Sequence, residues 1–127
     1  MITTQISPEL TNEQMNTLFS SAWPSHKPRD FRPLLERSLA YVATFDQSTL
    51  VGFVNIAWDG GVHGFILDTT VHADYQRQGI GLMLLKEAKR IAEQHNLEWL
   101  HVDFLPEYES FYRKAGYRPT LAGLLEI

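Results

Sequence analysis

Between residues 39 and 71 the apolar positions come in short dense runs, whereas between 80 and 95 they recur every three or four residues. That change of period separates strand from helix. Residues 39–45 and 50–58 are rich in β-branched and aromatic side chains. Asp46-Gln47-Ser48-Thr49 lies between them, so the pair predicts a hairpin. Asp59-Gly60-Gly61 turns the chain into a third strand over 64–71, giving an antiparallel meander. In residues 80–95, Gly81, Leu84, Leu85, Ala88, Ile91, Ala92 and His95 share one stripe. Lys86, Glu87, Arg90 and Glu93 lie opposite, as in a helix packed on a sheet, with Asn96 as its left-handed stop. Residues 98–104 predict the next strand, and Pro106 opens a short helix over 107–115 that Gly116 ends.

Ahead of the meander, residues 2–6 predict a short first strand. Thr11 and Gln14 have capping-box spacing before a helix carrying Met15, Leu18 and Phe19. Pro24, Pro28 and Pro33 punctuate the following stretch, which limits a second helix to about residues 33–38. Hairpins followed by a strand-helix-strand unit predict an α/β fold, a mixed and mostly antiparallel central sheet with flanking helices.

A chain of 127 residues reads as one domain over 1–127. It lacks any apolar run of the ~20 residues that cross a membrane, and its first residues do not resemble a signal peptide. The absence of cysteine removes disulfides, thiolate metal sites and cysteine nucleophiles, and makes cytoplasmic the default expectation. A net charge of −4, without a basic block, argues against nucleic acid as partner and suits a cationic substrate better. The five histidines show no metal-ligand spacing, so no metal is expected.

Between the third strand and the long helix lies Gln76-Arg77-Gln78-Gly79-Ile80-Gly81, a glycine-containing loop that feeds directly into the helix. Free N–H groups at a helix start, added to the helix dipole, form a site for phosphate. Neither the P-loop string nor the three-glycine dinucleotide string is present. Instead, Val71-His72-Ala73-Asp74-Tyr75-Gln76-Arg77-Gln78-Gly79-Ile80-Gly81 resembles the Q/R-x-x-G-x-G/A segment of the GNAT superfamily of acyl-CoA-dependent N-acyltransferases. Ala73 stands where proline is common. Phe111-Tyr112-Arg113-Lys114-Ala115-Gly116-Tyr117 is similar to the family's second segment. The resemblance covers the last half of the chain.

The resemblance implies a GNAT fold and transfer of an acetyl group from acetyl-CoA to a primary amine, by direct attack in a ternary complex. Polyamine, aminoglycoside, amino acid, peptide N-terminus and lysine remain open as acceptors. A module that binds CoA without turnover is the alternative. Gln76, Arg77, Gln78, Gly79, Ile80 and Gly81 are the expected pyrophosphate cradle. Thr69 and Val71 offer backbone groups to the pantetheine arm, with an amide near Val71 to polarise the thioester carbonyl.

Tyr112 falls on the tyrosine that protonates the leaving thiolate. A phenol with a pKa near ~10 is still protonated when that step occurs at neutral pH. Asp68 is the first choice for the base, because relatives carry an acidic residue there. It stands three residues before Val71, on the opposite strand face unless a bulge shifts the register. His101, alternating with Asp103, is the second choice. Trp23, His26, Arg29 and Asp30 are candidates to line the acceptor pocket.

Two departures from the family stand out. An asparagine and an alanine of its cofactor segment are replaced by Leu105 and Tyr108, so Glu107 or Tyr108 must substitute for that contact or it is lost. Such folds also usually finish with two strands, whereas residues 117–127 leave room for one strand or a very short pair. This short C-terminal end leaves a sheet edge that a second subunit could complete as a homodimer.

Overall fold

The computed structural model describes residues 1–127. Its strands are β1 (Ile2–Ile6), β2 (Ala40–Asp46), β3 (Thr49–Trp58), β4 (His63–Val71) and β5 (Trp99–His101). Its helices are α1 (Asn12–Ala22), α2 (Arg32–Arg37), α3 (Ile80–Gln94) and α4 (Glu109–Lys114), with single 3-10 turns at Ala73–Tyr75 and Pro106–Tyr108. The strands form one sheet in chain order, antiparallel from β1 to β4 and parallel between β4 and β5. It is the mixed, mostly antiparallel sheet that the hydrophobic pattern predicts.

Local chemistry sets the element ends. Thr11 accepts from the Gln14 amide at 3.1 Å while the Gln14 side chain accepts from the Thr11 amide at 2.9 Å, so the capping box forms. Pro33 sits in the first turn of α2, where its missing N–H costs nothing. Gln47 at φ 55° closes the β2–β3 hairpin, and Asp59 ties the next turn by accepting from the Gly61 amide at 2.7 Å. Asn96 adopts φ 59° and stops α3.

Each sheet face has its own core. On one, Met15, Leu18, Phe19 and Phe31, from α1 and the segment leading into α2, pack on Tyr41, Ala43, Phe45, Leu50 and Phe53. On the other, Leu84, Leu85, Ala88 and Ile91 of α3 pack on Val42, Val54, Ile56 and Ile66, with Tyr112 of α4 joining them. At ~25 cal/mol per Å² of apolar surface removed from water, these faces supply most of the drive to fold.

Four expectations need correction. The strand expected over 98–104 stops at His101, because it pairs with β4 only from His63↔Trp99 to Phe65↔His101 and residues 102–104 have no ladder. The helix expected over 107–115 is split into a 3-10 turn and the shorter α4. His95 lies at the end of the α3 stripe but is exposed, with its ring against Trp58 instead of the sheet. Residues 117–127 form no strand. Leu121, Leu124, Leu125 and Ile127 stand in solvent, because alternation cannot make a strand without a hydrogen-bonding partner.

Candidate active site

The site develops where β4 and β5 separate. Beyond Phe65 no strand lies on the β5 side of β4, so its residues Ile66 to Val71 border an open slot. The β3–β4 register adds a second irregularity. Leu67 pairs with Asn55 and Thr70 with Phe53, so Asp68 and Thr69 together oppose Val54. This is the bulge on which the carry-over of Asp68 depends, and Asp68 takes φ 57° to make it. One consequence is that Ile66 packs with α3 whereas Thr70, four residues on, accepts from Trp23 Nε1 at 3.1 Å on the α1 side.

Asp68 is exposed to solvent as a residue. The protein mass around its carboxyl still raises its pKa by desolvation, and the positive charge of Arg29 opposes this. Thr69 belongs to the other side, near Tyr112. Its Oγ1 is buried without a protein partner, and although its proximity pulls the Tyr112 pKa down, the two hydroxyls make no well-formed hydrogen bond. Tyr112 is stacked on Phe104 at 4.8 Å and meets Phe111 and Tyr117 edge-on. Desolvation raises its pKa overall, so the phenol holds its proton at neutral pH.

The loop before α3 keeps its amides free. No acceptor within the chain meets the N–H groups of residues 76 to 82; the first satisfied amide is Met83, bonded to the Gly79 carbonyl at 3.1 Å. Gly79 is the N-cap at φ +83°, has no side-chain cap, and has open space where a Cβ would point. Arg77 is also left-handed, at φ 66°. At Gly81 a Cβ would meet the Phe111 ring at 2.9 Å, so glycine there lets α4 close on α3. Gln76 turns inward, its Nε2 donating to the Val71 carbonyl at 3.1 Å, which ties the loop to the end of β4.

The remaining candidates divide. His101 lies on β5 with its Nε2 2.8 Å from His63 Nδ1 and its ring stacked on Phe65 at 4.7 Å, a cross-strand pair that pattern reading did not find. Asp103 follows it as an exposed residue past the strand end. His26 contacts Asn16 Oδ1 at 2.9 Å, and Asp30 is tied to Arg32 and Asn12, so both brace the α1–α2 connection. Trp23 reaches β4 by donating to Thr70, while the Arg29 guanidinium lies over the Phe31 ring at 4.8 Å and its positive charge is felt by the Asp68 carboxyl. Leu105, Glu107 and Tyr108 are exposed where α4 begins. A cavity of about 270 Å³ lies between α3 and the end of α4, lined by Leu82, Leu85, Lys86, Lys89, Lys114 and Ala115. Its lysines were not singled out from sequence because α3 and α4 supply them separately.

The Acetyltransferase (GNAT) family model matches residues 9–117. The uncharacterized N-acetyltransferase ycf52 of Porphyra purpurea is 33% identical over 73 residues, 57% of this chain. That match spans 42% of the relative, less than half its length. Among solved structures, a GNAT family acetyltransferase of Streptococcus pneumoniae superposes with TM-score 0.85 at 25% identity, covering 100% of this chain and 98% of that one. AAC(6')-Iy, solved with the bisubstrate analogue CoA-S-monomethyl-acetylneamine, superposes at 0.79 with 15% identity, covering 100% and 97%.

Proposed function

Because the chain belongs to the GNAT acetyltransferase family, we propose that it transfers an acetyl group from acetyl-CoA to a primary amine in a ternary complex. The run of unpaired amides from 76 to 82, at the head of α3 and beside the slot, carries this reading. They fit a diphosphate, and Lys86, Lys89 and Lys114 add positive charge alongside. The orphaned Thr69 Oγ1 faces Tyr112 and can serve a polar group entering between β4 and α4. When bound, acetyl-CoA supplies an activated thioester.

Around it, the chain's residues divide the work. Asp68, on the α1–α2 side, takes the proton of the entering ammonium, directly or through water, so that the free amine can attack the acyl carbon; as the C–S bond breaks, Tyr112 Oη, on the far side of the bulge, gives its proton to the departing thiolate. An amide near Val71 polarises the acyl carbonyl. His101 has an imidazole partner already and ranks behind Asp68 as the base. The test is thiol release from acetyl-CoA over a panel of amines, repeated with Tyr112→Phe. Turnover that this substitution removes while CoA still binds supports the reading; no turnover with any amine, despite CoA binding, contradicts it.

A further inference from the structure

Arg29 is a cation without a partner in its own chain. It belongs to none of the ion pairs, and its only hydrogen bonds run through its backbone. The adjacent acid, Asp30, is turned away onto Arg32 at 2.9 Å and Asn12 at 3.0 Å. Arg29 is held in place all the same. Asn16 of α1 clamps it from both sides, Oδ1 accepting from the Arg29 amide and Nδ2 donating to the Arg29 carbonyl, each at 3.0 Å. The guanidinium rests over the ring of the fully buried Phe31. Held in this way, its N–H fork is free for an anion.

This cation stands on the acceptor side of the bulge. The indole of Trp23 donates to Thr70, which ties the end of α1, and the segment after it, to β4 two residues from Asp68. The Arg29 charge acts on the Asp68 carboxyl, yet the two form no ion pair, so a wider space separates them. An amine whose ammonium approaches Asp68 therefore also enters the field of Arg29. A plain alkylammonium or polyamine brings like charge against it, which costs energy at short range. An acceptor with an oxyanion near its amine satisfies both groups, because guanidinium presents paired donors to carboxylate and phosphate. The net charge of −4 acts at long range; at this site the unpaired charge is positive.

We propose that the acceptor is a small amine carrying its own oxyanion, as a free amino acid does, with the ammonium at Asp68 and the oxyanion on the Arg29 guanidinium. This assignment rests on the acetyl-transfer reading above and narrows its acceptor.

The test compares matched amines in the thiol-release assay: common amino acids against their carboxamides, and ethanolamine phosphate against ethanolamine. The first pairs report a carboxylate, the last a phosphate ester. Calorimetry of the same compounds on the CoA-loaded chain gives binding independently of turnover. The expected result is at least one anionic amine preferred over its uncharged match by about tenfold in kcat/KM, chiefly through KM. Arg29→Gln should bring that ratio close to one while CoA affinity is unchanged, and Arg29→Lys should restore part of it. Binding of an anionic amine that depends on Arg29, without turnover, would support the site and contradict acetyl transfer. Turnover of uncharged or polycationic amines that equals or exceeds that of the anionic ones, with no response to Arg29→Gln, would overturn the proposal and leave acetyl transfer standing. Absence of both binding and turnover would overturn both.

Discussion

The sheet has two unlike halves. In β2 and β3, residues 40–45 and 50–56 are buried without a break, because α1 and α2 cover one face and α3 the other. In β4, buried and exposed residues alternate and then lose their period at Asp68, while β5 keeps only three paired residues and no fully buried side chain. The covered half is a scaffold with few exceptions, a register shift between Thr44 and Phe45 and the unpartnered Thr44 hydroxyl beside it. The uncovered half accumulates irregularity: a left-handed aspartate, an orphaned threonine hydroxyl, unpaired amides and an open edge. Strain and unsatisfied groups persist where a rigid neighbour enforces them, and such places are where ligands gain most from binding.

The largest expected effect comes from breaking the scaffold. Phe53 is completely buried, so Phe53→Ala should cost about 3–5 kcal/mol in chemical denaturation. Leu67→Ala, on the neighbouring strand but 39% exposed, should cost under about 1 kcal/mol. Equal losses would erase the distinction between the halves.

Next comes chemistry without stability. Tyr112→Phe keeps the stacked ring, so its melting temperature should stay near wild type while kcat falls about 10²-fold or more. CoA affinity by calorimetry should change by no more than about threefold. A variant that loses binding and turnover together would make Tyr112 a packing residue only.

Gly79→Val sharpens the contrast at the loop. A β-branched residue at φ +83° is disfavoured by roughly 1–2 kcal/mol, and relaxing it turns the neighbouring amides. CoA affinity should fall about tenfold, with little change in the denaturation midpoint beyond that strain.

The smallest effect is a pH dependence. Desolvation raises the Asp68 pKa, so the charged carboxylate is disfavoured in the folded state. That penalty is absent below the unfolded carboxylate pKa and grows as pH rises through the higher folded value. Asp68→Asn should therefore melt slightly higher than wild type at neutral pH and match it in acid. As a base, Asp68 works only when deprotonated, so the acidic limb of kcat/KM should lie above the usual carboxylate range and vanish in Asp68→Asn. A limb unchanged by the substitution would move the base role to His101 or to water.

How much could be read in advance follows the range of the interaction. The Thr11–Gln14 capping box, the left-handed Asn96 and the α3 stripe depend on neighbours within a few residues, so the sequence carries them openly. The loop amides were legible for the same reason. The bulge at Asp68 depends on which β3 residues lie opposite, and that register is not a local property. Val102 and Phe104 alternate like a strand yet pair with nothing, and the His63–His101 contact joins residues on separate strands. The inward turn of Gln76 and the role of Gly81 against Phe111 likewise need tertiary contacts.

The most direct test is amide-resolved NMR of the full chain titrated with CoA. The account predicts that the largest shifts fall on residues 76 to 82, with smaller ones at 69–71. If those amides stay where they are while CoA binds elsewhere or not at all, the diphosphate cradle and the acetyl transfer built on it are contradicted.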